Sequence, residues 1–312
     1  MKKILIKTTK MNGHLVVNIP VESVENFRKK FPNYDVVYDV VTEENIKDAD
    51  ILMCRGISEE LIGKAEKLQA VFVPLTGLDS IPVKALEKRG IPIFNTHAKA
   101  NVIAERAFSL LLTSMGRIIP MDENLRKNKW ANRSYTDLWY TLFNKKVAFY
   151  GFGHIGQYVA KLMSSFDVEV CTLSRHKGRC DVEADKYFDT LEELADYCEV
   201  LVVSTPLNDE TRGSINLDIL NRLNGHVVNV GRGPIIDEES LYNTLKNGTT
   251  LSCGLDVWYN YPKSNEDICP SNFPFNELDN IVMSPHSAWA TTTNENILID
   301  DIFTQMSNYC KK

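Results

Sequence analysis

The chain has 312 residues, a net charge of −6 and seven cysteines. This length is enough for two domains that each bury a core, and the mixing of acidic and basic residues, without any basic block, argues against nucleic-acid binding. No apolar run approaches the ~20 residues of a membrane span, and an odd number of cysteines without a CxxC pair favours reduced thiols in the cytoplasm over disulfides or zinc.

The first hundred residues alternate short apolar runs with amphipathic segments. Ser58 is placed to cap the helix that follows it. The alternation predicts a parallel sheet with helices on both faces, and no glycine fingerprint for a nucleotide occurs in it. The strands are predicted at residues 3–8, 35–41, 50–54, 70–75 and 91–94, and the helices at 21–31, 58–68 and 82–89.

A long helix is predicted at about residues 98–119. Its centre, residues 108–112, is apolar nearly all round, which predicts burial on more than one side, either between two domains or against a second subunit. The next stretch, residues 121–143, is rich in aromatic residues and is interpreted as a helix and loop that close the domain face. Its aromatic residues are Trp130, Tyr135, Trp139, Tyr140 and Phe143.

A glycine-rich turn opens a second alternating series. Residues 147–150 predict a buried strand, Gly151, Gly153 and Gly156 follow with Gly-x-Gly-x-x-Gly spacing, and residues 157–166 predict a helix. Strand, glycine turn and helix in this order are typical of a dinucleotide-binding turn, whose pyrophosphate lies at the helix N-terminus. A tight structural turn is the alternative. The apolar face of the helix is predicted to hold Val159, Ala160, Leu162 and Met163.

The rest of the series continues the same alternation. Residues 256–280 form a Pro/Asn-rich loop, and a last helix is predicted at residues 291–308. Further strands are predicted at 168–173, 200–204, 226–230, 250–256 and 281–284, and helices at 191–197, 217–223 and 238–246.

Several motifs in a specific order carry a resemblance to a known family. They are LTGLD at 75–79, RGIPIFN at 89–95, the glycine turn, TPL at 205–207, NVGRG at 229–233, GLDV at 254–257 and SPHSAW at 284–289. With them the chain resembles the D-2-hydroxyacid dehydrogenases (the D-isomer-specific family), which include glyoxylate/hydroxypyruvate reductases and phosphoglycerate dehydrogenases.

This resemblance implies an α/β fold of two doubly wound parallel-sheet (Rossmann-like) domains. The NAD(P)-binding domain, residues 98–287, would be inserted in a split substrate (catalytic) domain, residues 1–97 and 288–312. The active site would lie in the cleft between them. The family also implies a homodimer formed through the long helix.

The resemblance assigns the chemistry of 2-keto acid reduction to particular residues. Arg232, between two glycines after a predicted strand, would hold the substrate carboxylate through its planar guanidinium and polarise the keto group. His286 would protonate the carbonyl oxygen in reduction and accept the proton in oxidation. The backbone of Gly77, with Thr76 or Leu78, would be a second carboxylate clamp. Arg55 would contact the far end of the substrate, or be a surface cation.

Tyr261 departs from the family pattern. The family has glutamate at this position, where its carboxylate hydrogen-bonds the histidine and raises its pKa. A tyrosine hydroxyl can orient the imidazole but adds no charge near neutral pH, so we expect a lower pKa for His286 and reduction that falls off at lower pH. Glu266 or Asp267 in the following loop are alternative partners of the histidine.

The predicted cofactor is NADP, with NAD as the alternative. The residue after the second strand of this domain, where an NAD enzyme places an acid for the adenosine ribose, is Ser174, and cations follow it. The alternative is a solvated basic loop. Asp256 would accept a hydrogen bond from the nicotinamide carboxamide. The predicted cofactor-binding residues are Gly151, Gly153, His154, Ile155, Gly156, Ser174, Arg175, Lys177, Thr205, Pro206, Val230, Gly231, Arg232 and Asp256.

The sequence therefore predicts an NADP-preferring D-2-hydroxyacid dehydrogenase, or 2-keto acid reductase, whose partner is a small 2-keto or 2-hydroxy acid and whose site holds no metal. Trp258, Tyr259, Tyr261 and Trp289 favour a larger or apolar substrate side chain. A dehydrogenase of a small anion such as formate or phosphite is a second hypothesis, which Tyr261 supports. A dinucleotide-sensing binding protein related to the corepressors of this fold is a third, against which Arg232 and His286 argue.

Overall fold

The computed structural model describes residues 1–11, 14–16, 19–130, 138–262, 267–292 and 296–311. Tyr135 and Glu266, and residues 293–295 at the predicted start of the last helix, lie outside the described residues. The chain divides into two compact units, Met1–Lys99 with Thr292–Lys312, and Ala100–Thr291.

The first unit is built on a parallel sheet. Its strands lie in the order β4-β1-β5-β6-β7, so the order reverses between β1 and β5. Leu5 and Leu52 face one core cluster, whereas Ile4 and Ile51 face the other, because successive side chains of a strand point to opposite faces. Its elements are β1 (Lys2–Lys7), β2 (Thr9–Met11), β3 (His14–Val16), α1 (Val21–Lys30), β4 (Tyr34–Asp39), α2 (Glu43–Ile46), β5 (Ile51–Met53), α3 (Glu59–Lys64), β6 (Ala70–Val73), α4 (Val83–Lys88), β7 (Ile93–Asn95) and α11 (Ile297–Cys310).

The second unit is built on a longer parallel sheet in the order β10-β9-β8-β11-β12-β13-β14. Ala148 and Tyr150 of β8 face one core cluster, and Val147 and Phe149 face the other. The strand order reverses between β8 and β11. The elements are α5 (Ala100–Met115), α6 (Ile118–Arg126), β8 (Lys146–Tyr150), α7 (His154–Met163), β9 (Glu169–Leu173), β10 (Lys186–Phe188), α8 (Leu191–Tyr197), β11 (Val200–Val203), α9 (Leu217–Leu223), β12 (His226–Asn229), α10 (Glu238–Asn247), β13 (Ser252–Leu255) and β14 (Ile281–Met283).

The two parallel sheets confirm the predicted α/β class with Rossmann-like sheets. Both orders are those of doubly wound folds, in which ligands bind beyond the carboxyl ends of the strands where the order reverses. The cap at Ser58 is also confirmed, since its hydroxyl accepts a hydrogen bond from the backbone nitrogen of Leu61 at 3.3 Å. Along the described residues, no helix is long and apolar enough to cross a membrane.

The long helix differs from its prediction. Helix α5 ends at Met115 and α6 is a separate helix, because Arg117 between them adopts a left-handed backbone conformation with φ 52°. One side of α5 is buried, but Ser109 and Arg106 on the other side are exposed within the single chain.

The aromatic stretch is more exposed than predicted. Trp130 is 74% exposed, Trp139 60% and Phe143 50%, so these side chains do not close a domain face within one chain. Leu162 is 41% exposed and does not belong to the buried face of α7 that Val159 and Met163 form. The hairpin β2–β3 and the edge strand β10 were not predicted.

Candidate active site

The glycine turn joins β8 to α7, and two of its glycines are required by the fold itself. Gly151 has φ 100°, and a Cβ there would lie 2.4 Å from the Thr205 nitrogen. A Cβ on Gly156 would lie 2.5 Å from the Gly151 carbonyl oxygen. Gly153 differs, because its Cβ would have no described atom within 4 Å.

The open space beside Gly153 leaves room for a ligand to approach the backbone. Gly153 is the N-cap residue of α7, and no side chain caps the helix there. The N–H groups of the first turn are therefore available to bind an anion. His154 is exposed and Ile155 half-buried in that turn. These features suit the pyrophosphate of a dinucleotide.

Strand β11 ends beside this turn, at the point where the strand order reverses. The Ser204 nitrogen donates to the Tyr150 carbonyl at 3.0 Å, and the Ser204 hydroxyl donates to the Gly151 carbonyl at 2.7 Å. Thr205 is buried and Pro206 exposed directly after the strand. The predicted cofactor residues of β8 and β11 are thus brought together.

At the end of β9 the structure corrects one expectation. The sequence placed no carboxylate near Ser174, yet the Ser174 hydroxyl hydrogen-bonds the carboxylate of Asp189, which follows the neighbouring strand β10. Arg175 pairs with Glu210 at 3.2 Å, and its guanidinium lies 5.8 Å from the centre of the Tyr150 ring. Acidic groups therefore accompany the predicted cations.

The basic loop after Ser174 is held against the glycine turn. The Cys180 thiol lies 3.0 Å from the Phe152 carbonyl, and the side-chain oxygen of Gln157 accepts from the nitrogens of Asp181 and Val182 at 2.9 and 3.2 Å. These contacts fix the loop that carries the cations beside α7.

His176 lies among those cations and has an unsatisfied ring nitrogen. Its buried Nε2 has no hydrogen-bond partner among the residues that the structure describes. Burial lowers the pKa of His176, and the charges of Arg175 and Arg179 lower it further. The imidazole is therefore held towards its neutral form, while Lys177 beside it is exposed.

Arg232 follows β12 in a tight turn. The side chain of Asn229 closes this turn by accepting from the Gly231 nitrogen at 3.0 Å and donating to the Arg232 carbonyl at 3.0 Å. A Cβ on Gly231 would lie 2.8 Å from the Thr205 carbonyl, and one on Gly233 2.2 Å from the Trp258 carbonyl. Both flanking glycines are thus needed to seat the half-buried arginine.

Asp256, after β13, holds the segment that carries His286. It is 1% exposed, and its carboxylate accepts from the Ser284 hydroxyl at 2.5 Å, the Ser287 nitrogen at 3.0 Å and the Ala288 nitrogen at 3.1 Å. In the structure the carboxylate therefore holds the segment around His286. Its contact with a nicotinamide stays a prediction.

His286, after β14, has a left-handed backbone with φ 52°. Its carbonyl accepts from the indole nitrogen of Trp289 at 3.0 Å, and the indole nitrogen of Trp258 donates to the Ser284 carbonyl at 2.9 Å. Side chains on both sides of the residue thus maintain a conformation that is uncommon outside glycine.

Tyr261 contacts His286 directly. Its hydroxyl lies 2.9 Å from Nδ1 of His286 and accepts from the Trp258 nitrogen at 3.1 Å. Tyr261 is therefore the hydrogen-bond partner that the structure shows at Nδ1, and Asp267 is exposed. Arg232, Asp256, Tyr261 and His286 all follow the adjacent strands β12, β13 and β14 at one edge of one sheet.

The predicted substrate contacts of the first unit follow β5 and β6. The Thr76 hydroxyl donates to the Thr96 carbonyl at 2.9 Å, and Asn95 donates to the Thr76 carbonyl at 2.8 Å, so the Thr76–Gly77 turn is pinned to the end of β7. Arg55 is exposed, next to the reversal of strand order between β1 and β5.

Four residues with evident structural roles were not predicted as site residues: Asn229, Gln157, Asp189 and Glu210. Asn229 has a sequence signal, because it is a polar residue within an apolar strand. The family resemblance groups Glu210 with the TPL motif at 205–207, but no signal pairs it with Arg175, 35 residues away, and Asp189 has no signal at all, 15 residues from Ser174. Within the described part of the chain, no cluster of three or more His, Cys, Asp or Glu is placed to hold a metal ion.

Comparison with known proteins adds to this geometry. Residues 108–288 match the model described as D-isomer specific 2-hydroxyacid dehydrogenase, NAD binding domain. The chain is 30% identical over 260 residues to the glyoxylate reductase of Pyrococcus furiosus, covering 80% of this chain and 75% of that protein. It is 33% identical over 238 residues to a glyoxylate/hydroxypyruvate reductase of Arabidopsis thaliana, covering 75% and 71%.

A solved structure shows the same fold. It is the NADPH-dependent glyoxylate/hydroxypyruvate reductase of Sinorhizobium meliloti in complex with NADP and malonate. The TM-score is 0.74 at 24% identity, over 99% of this chain and 93% of that one.

Proposed function

Because the chain belongs to the D-isomer specific 2-hydroxyacid dehydrogenase family, we propose that it is an NAD(P)-dependent oxidoreductase that reduces a small 2-keto acid to the D-2-hydroxy acid. The observation that carries this proposal is the position of Arg232 after β12 and of His286 after β14, on either side of β13 in the sheet that also contains the glycine turn. The names of the relatives, glyoxylate and hydroxypyruvate reductases, support the substrate class.

The cofactor would be held along the carboxyl edge of the second unit. Gly151, Gly153, His154, Ile155 and Gly156 would receive the pyrophosphate. When bound, the nicotinamide supplies the hydride. The remaining proposed contacts are Ser174, Arg175, Lys177, Thr205, Pro206, Val230, Gly231, Arg232 and Asp256.

Arg232 would bind the substrate carboxylate and polarise the keto oxygen. Its guanidinium presents parallel N–H donors that match a carboxylate, and the turn closed by Asn229 fixes the backbone that carries it. Thr76, Gly77 and Arg55 are proposed as further substrate contacts on the family resemblance.

His286 would move the proton. In reduction the imidazolium donates a proton to the carbonyl oxygen, and in oxidation the neutral ring accepts it. The hydroxyl of Tyr261 can donate to Nδ1 of the neutral ring and accept from Nδ1–H of the charged ring, whereas a carboxylate can only accept. Tyr261 would therefore position the ring in both states without adding charge.

We propose NADP as the preferred cofactor. The loop from Ser174 carries Arg175, Lys177 and Arg179 beside the glycine turn, and such cations suit a 2′-phosphate. Comparing kcat/KM for NADPH and NADH tests this preference, and a clear advantage of NADH would contradict it.

A homodimer and a cytoplasmic location are also proposed. Several large apolar residues on α6 and after it, among them Ile118, Leu125 and Phe143, are exposed, and a second copy would cover them. The cytoplasmic location rests on the cysteine pattern.

One panel of assays tests the proposed reaction. Purified protein should oxidise NADPH with glyoxylate, hydroxypyruvate or a bulkier 2-keto acid, and Arg232→Gln should lose about 100-fold in kcat/KM because a charge-assisted pair is removed. Nucleotide reduction by formate or phosphite alone would favour the small-anion dehydrogenase. Tight nucleotide binding without turnover would favour the sensing protein.

A further inference from the structure

Glu210 approaches the predicted cofactor loop from a different part of the chain. It follows β11 in a turn in which its nitrogen donates to the Asn208 side-chain oxygen at 3.0 Å, and the buried hydroxyl of Thr211 donates to the Pro206 carbonyl at 2.7 Å. This turn presents the carboxylate to Arg175 at 3.2 Å. Arg175 is thus already paired before any phosphate arrives.

Asp189 approaches the same loop from the other side. Phe188 of β10 pairs in register with Leu173 of β9, so Asp189 and Ser174 follow side by side. The Ser174 hydroxyl lies within hydrogen-bonding distance of two acceptors, the Phe188 carbonyl at 2.9 Å and the Asp189 carboxylate, which share its single proton. The acid that an NAD enzyme places at the end of its second strand is here supplied by the neighbouring strand.

We propose that Asp189 and Glu210 are specificity-determining residues for the dinucleotide, and that both weaken the preference for NADP that the cations of the loop favour. Asp189 accepts a hydrogen bond from a ribose hydroxyl of NADH and repels a 2′-phosphate, and Glu210 competes with that phosphate for Arg175. The inference rests on the proposed function, because it requires a dinucleotide at this edge of the sheet.

The two carboxylates are expected to affect the affinities for NADPH and NADH in different ways. A 2′-phosphate must displace Glu210 from Arg175, whereas the NADH ribose need not, so the charge of Glu210 affects NADPH alone. Asp189 affects both nucleotides in opposite directions, since a carboxylate accepts from hydroxyls and repels phosphate. The Arg175–Glu210 pair is exposed, with 40% and 74% of the two side chains accessible, so its effect is small.

The experiment measures dissociation constants by nicotinamide fluorescence and needs no substrate. Glu210→Gln should lower the Kd for NADPH about threefold and leave that for NADH unchanged. In an Arg175→Gln background the same substitution should have no effect. Asp189→Asn should raise the Kd for NADH about fivefold and lower the Kd for NADPH, on the scale of a hydrogen bond to a charged group.

Asp196→Asn is the matched control, because it removes the acid of another exposed pair, Arg222–Asp196 at 3.0 Å. It should leave both constants unchanged. An unmoved ratio of the two constants in Glu210→Gln and Asp189→Asn overturns the inference, as does a Glu210→Gln effect that persists without Arg175. Wild-type protein that binds neither nucleotide overturns the proposed function itself. The Kd values for NADPH and NADH are measured on the same sample of each variant, so an unfolded fraction affects both equally and leaves their ratio unchanged.

Discussion

The hydroxyl of Tyr261 is the residue-scale feature that sets the proposed proton transfer apart from the family pattern. It joins Nδ1 of His286, at 2.9 Å, to the Trp258 backbone, at 3.1 Å. A hydroxyl can exchange donor and acceptor roles as the ring gains or loses a proton. The ring is therefore positioned by a group that itself carries no charge near neutral pH.

Replacing Tyr261 by glutamate should move the pH dependence of catalysis upward. A carboxylate beside the ring favours the imidazolium and raises the pKa of His286 relative to wild type. Because reduction needs the protonated ring, its decline should shift to higher pH, and the acidic limb of oxidation should shift the same way. The measurement is kcat/KM against pH in both directions, and unmoved limbs would contradict the pairing.

Tyr261→Phe is the companion variant without the hydroxyl. It should lower kcat about tenfold, the scale of one hydrogen bond, with little change in the KM for the nucleotide. An equal loss in nucleotide binding would instead indicate a general structural defect.

His226 is a second residue whose environment has a measurable consequence. It is 3% exposed, its Nδ1 lies 2.8 Å from the Ser252 hydroxyl, and burial, then the charge of Lys145, lowers its pKa to about 4. The folded protein therefore holds the neutral ring, whereas the unfolded chain takes up a proton near pH 6.5.

Stability should consequently fall as the pH falls from about 6.5 to 4, because the unfolded state binds more protons. The loss from this group is about 3 kcal/mol at pH 4. Urea unfolding of wild type and His226→Gln at pH 7 and pH 4 measures it. The variant should lose less stability than wild type over that interval, and equal losses would show that His226 titrates normally.

At the scale of elements, the strand–turn–helix unit of β8 and α7 separates structural glycines from a binding glycine. Gly151 and Gly156 are crowded by backbone atoms, whereas Gly153 faces open space. The fold therefore excludes a side chain at Gly151 and Gly156. On the proposed function, the bound ligand excludes one at Gly153.

Gly153→Ala should keep the melting temperature of wild type and weaken NADPH binding at least tenfold, because its methyl group occupies the approach of the pyrophosphate. Gly151→Ala should lower the melting temperature, since it combines φ 100° with a 2.4 Å contact. Thermal unfolding and nucleotide titration of both variants make the comparison. Unweakened binding in Gly153→Ala would contradict the assigned role.

At the scale of the whole molecule, large apolar side chains are exposed around α6 and in the chain that follows it. Leu125 is 55% exposed and Trp130 74%. An exposed cluster of this kind is typical of an interface, whereas single exposed apolar residues are normal.

We expect a dimer in solution that Leu125→Glu converts to a monomer, because the interface would bury an unpaired charge. Leu217→Glu is the control, since Leu217 is 48% exposed on α9 and lies outside the cluster. Analytical ultracentrifugation distinguishes the two states. A wild-type monomer, or a dimer unaffected by Leu125→Glu, would rule out this interface.

The features that depend on local backbone chemistry could be predicted from the amino-acid sequence. Glycine spacing after an apolar strand predicts the dinucleotide turn, and ordered motifs around Arg232 and His286 identify the family. The alternation of elements was enough for the α/β class, which the parallel sheets confirm. The break at Arg117 was missed although Gly116 and Pro120, both signals of a helix end, flank it, because the apolar pattern continues across them.

The contacts between distant polar side chains, in contrast, became visible in the three-dimensional structure and could not be predicted from the sequence. Ser174 and Asp189 are 15 residues apart, Arg175 and Glu210 are 35 apart, and Tyr261 and His286 are 25 apart. Each pair meets because parallel strands bring the ends of distant segments to one edge of a sheet. Charge near the predicted cofactor loop therefore depends on strand order, which the residues of the loop do not encode.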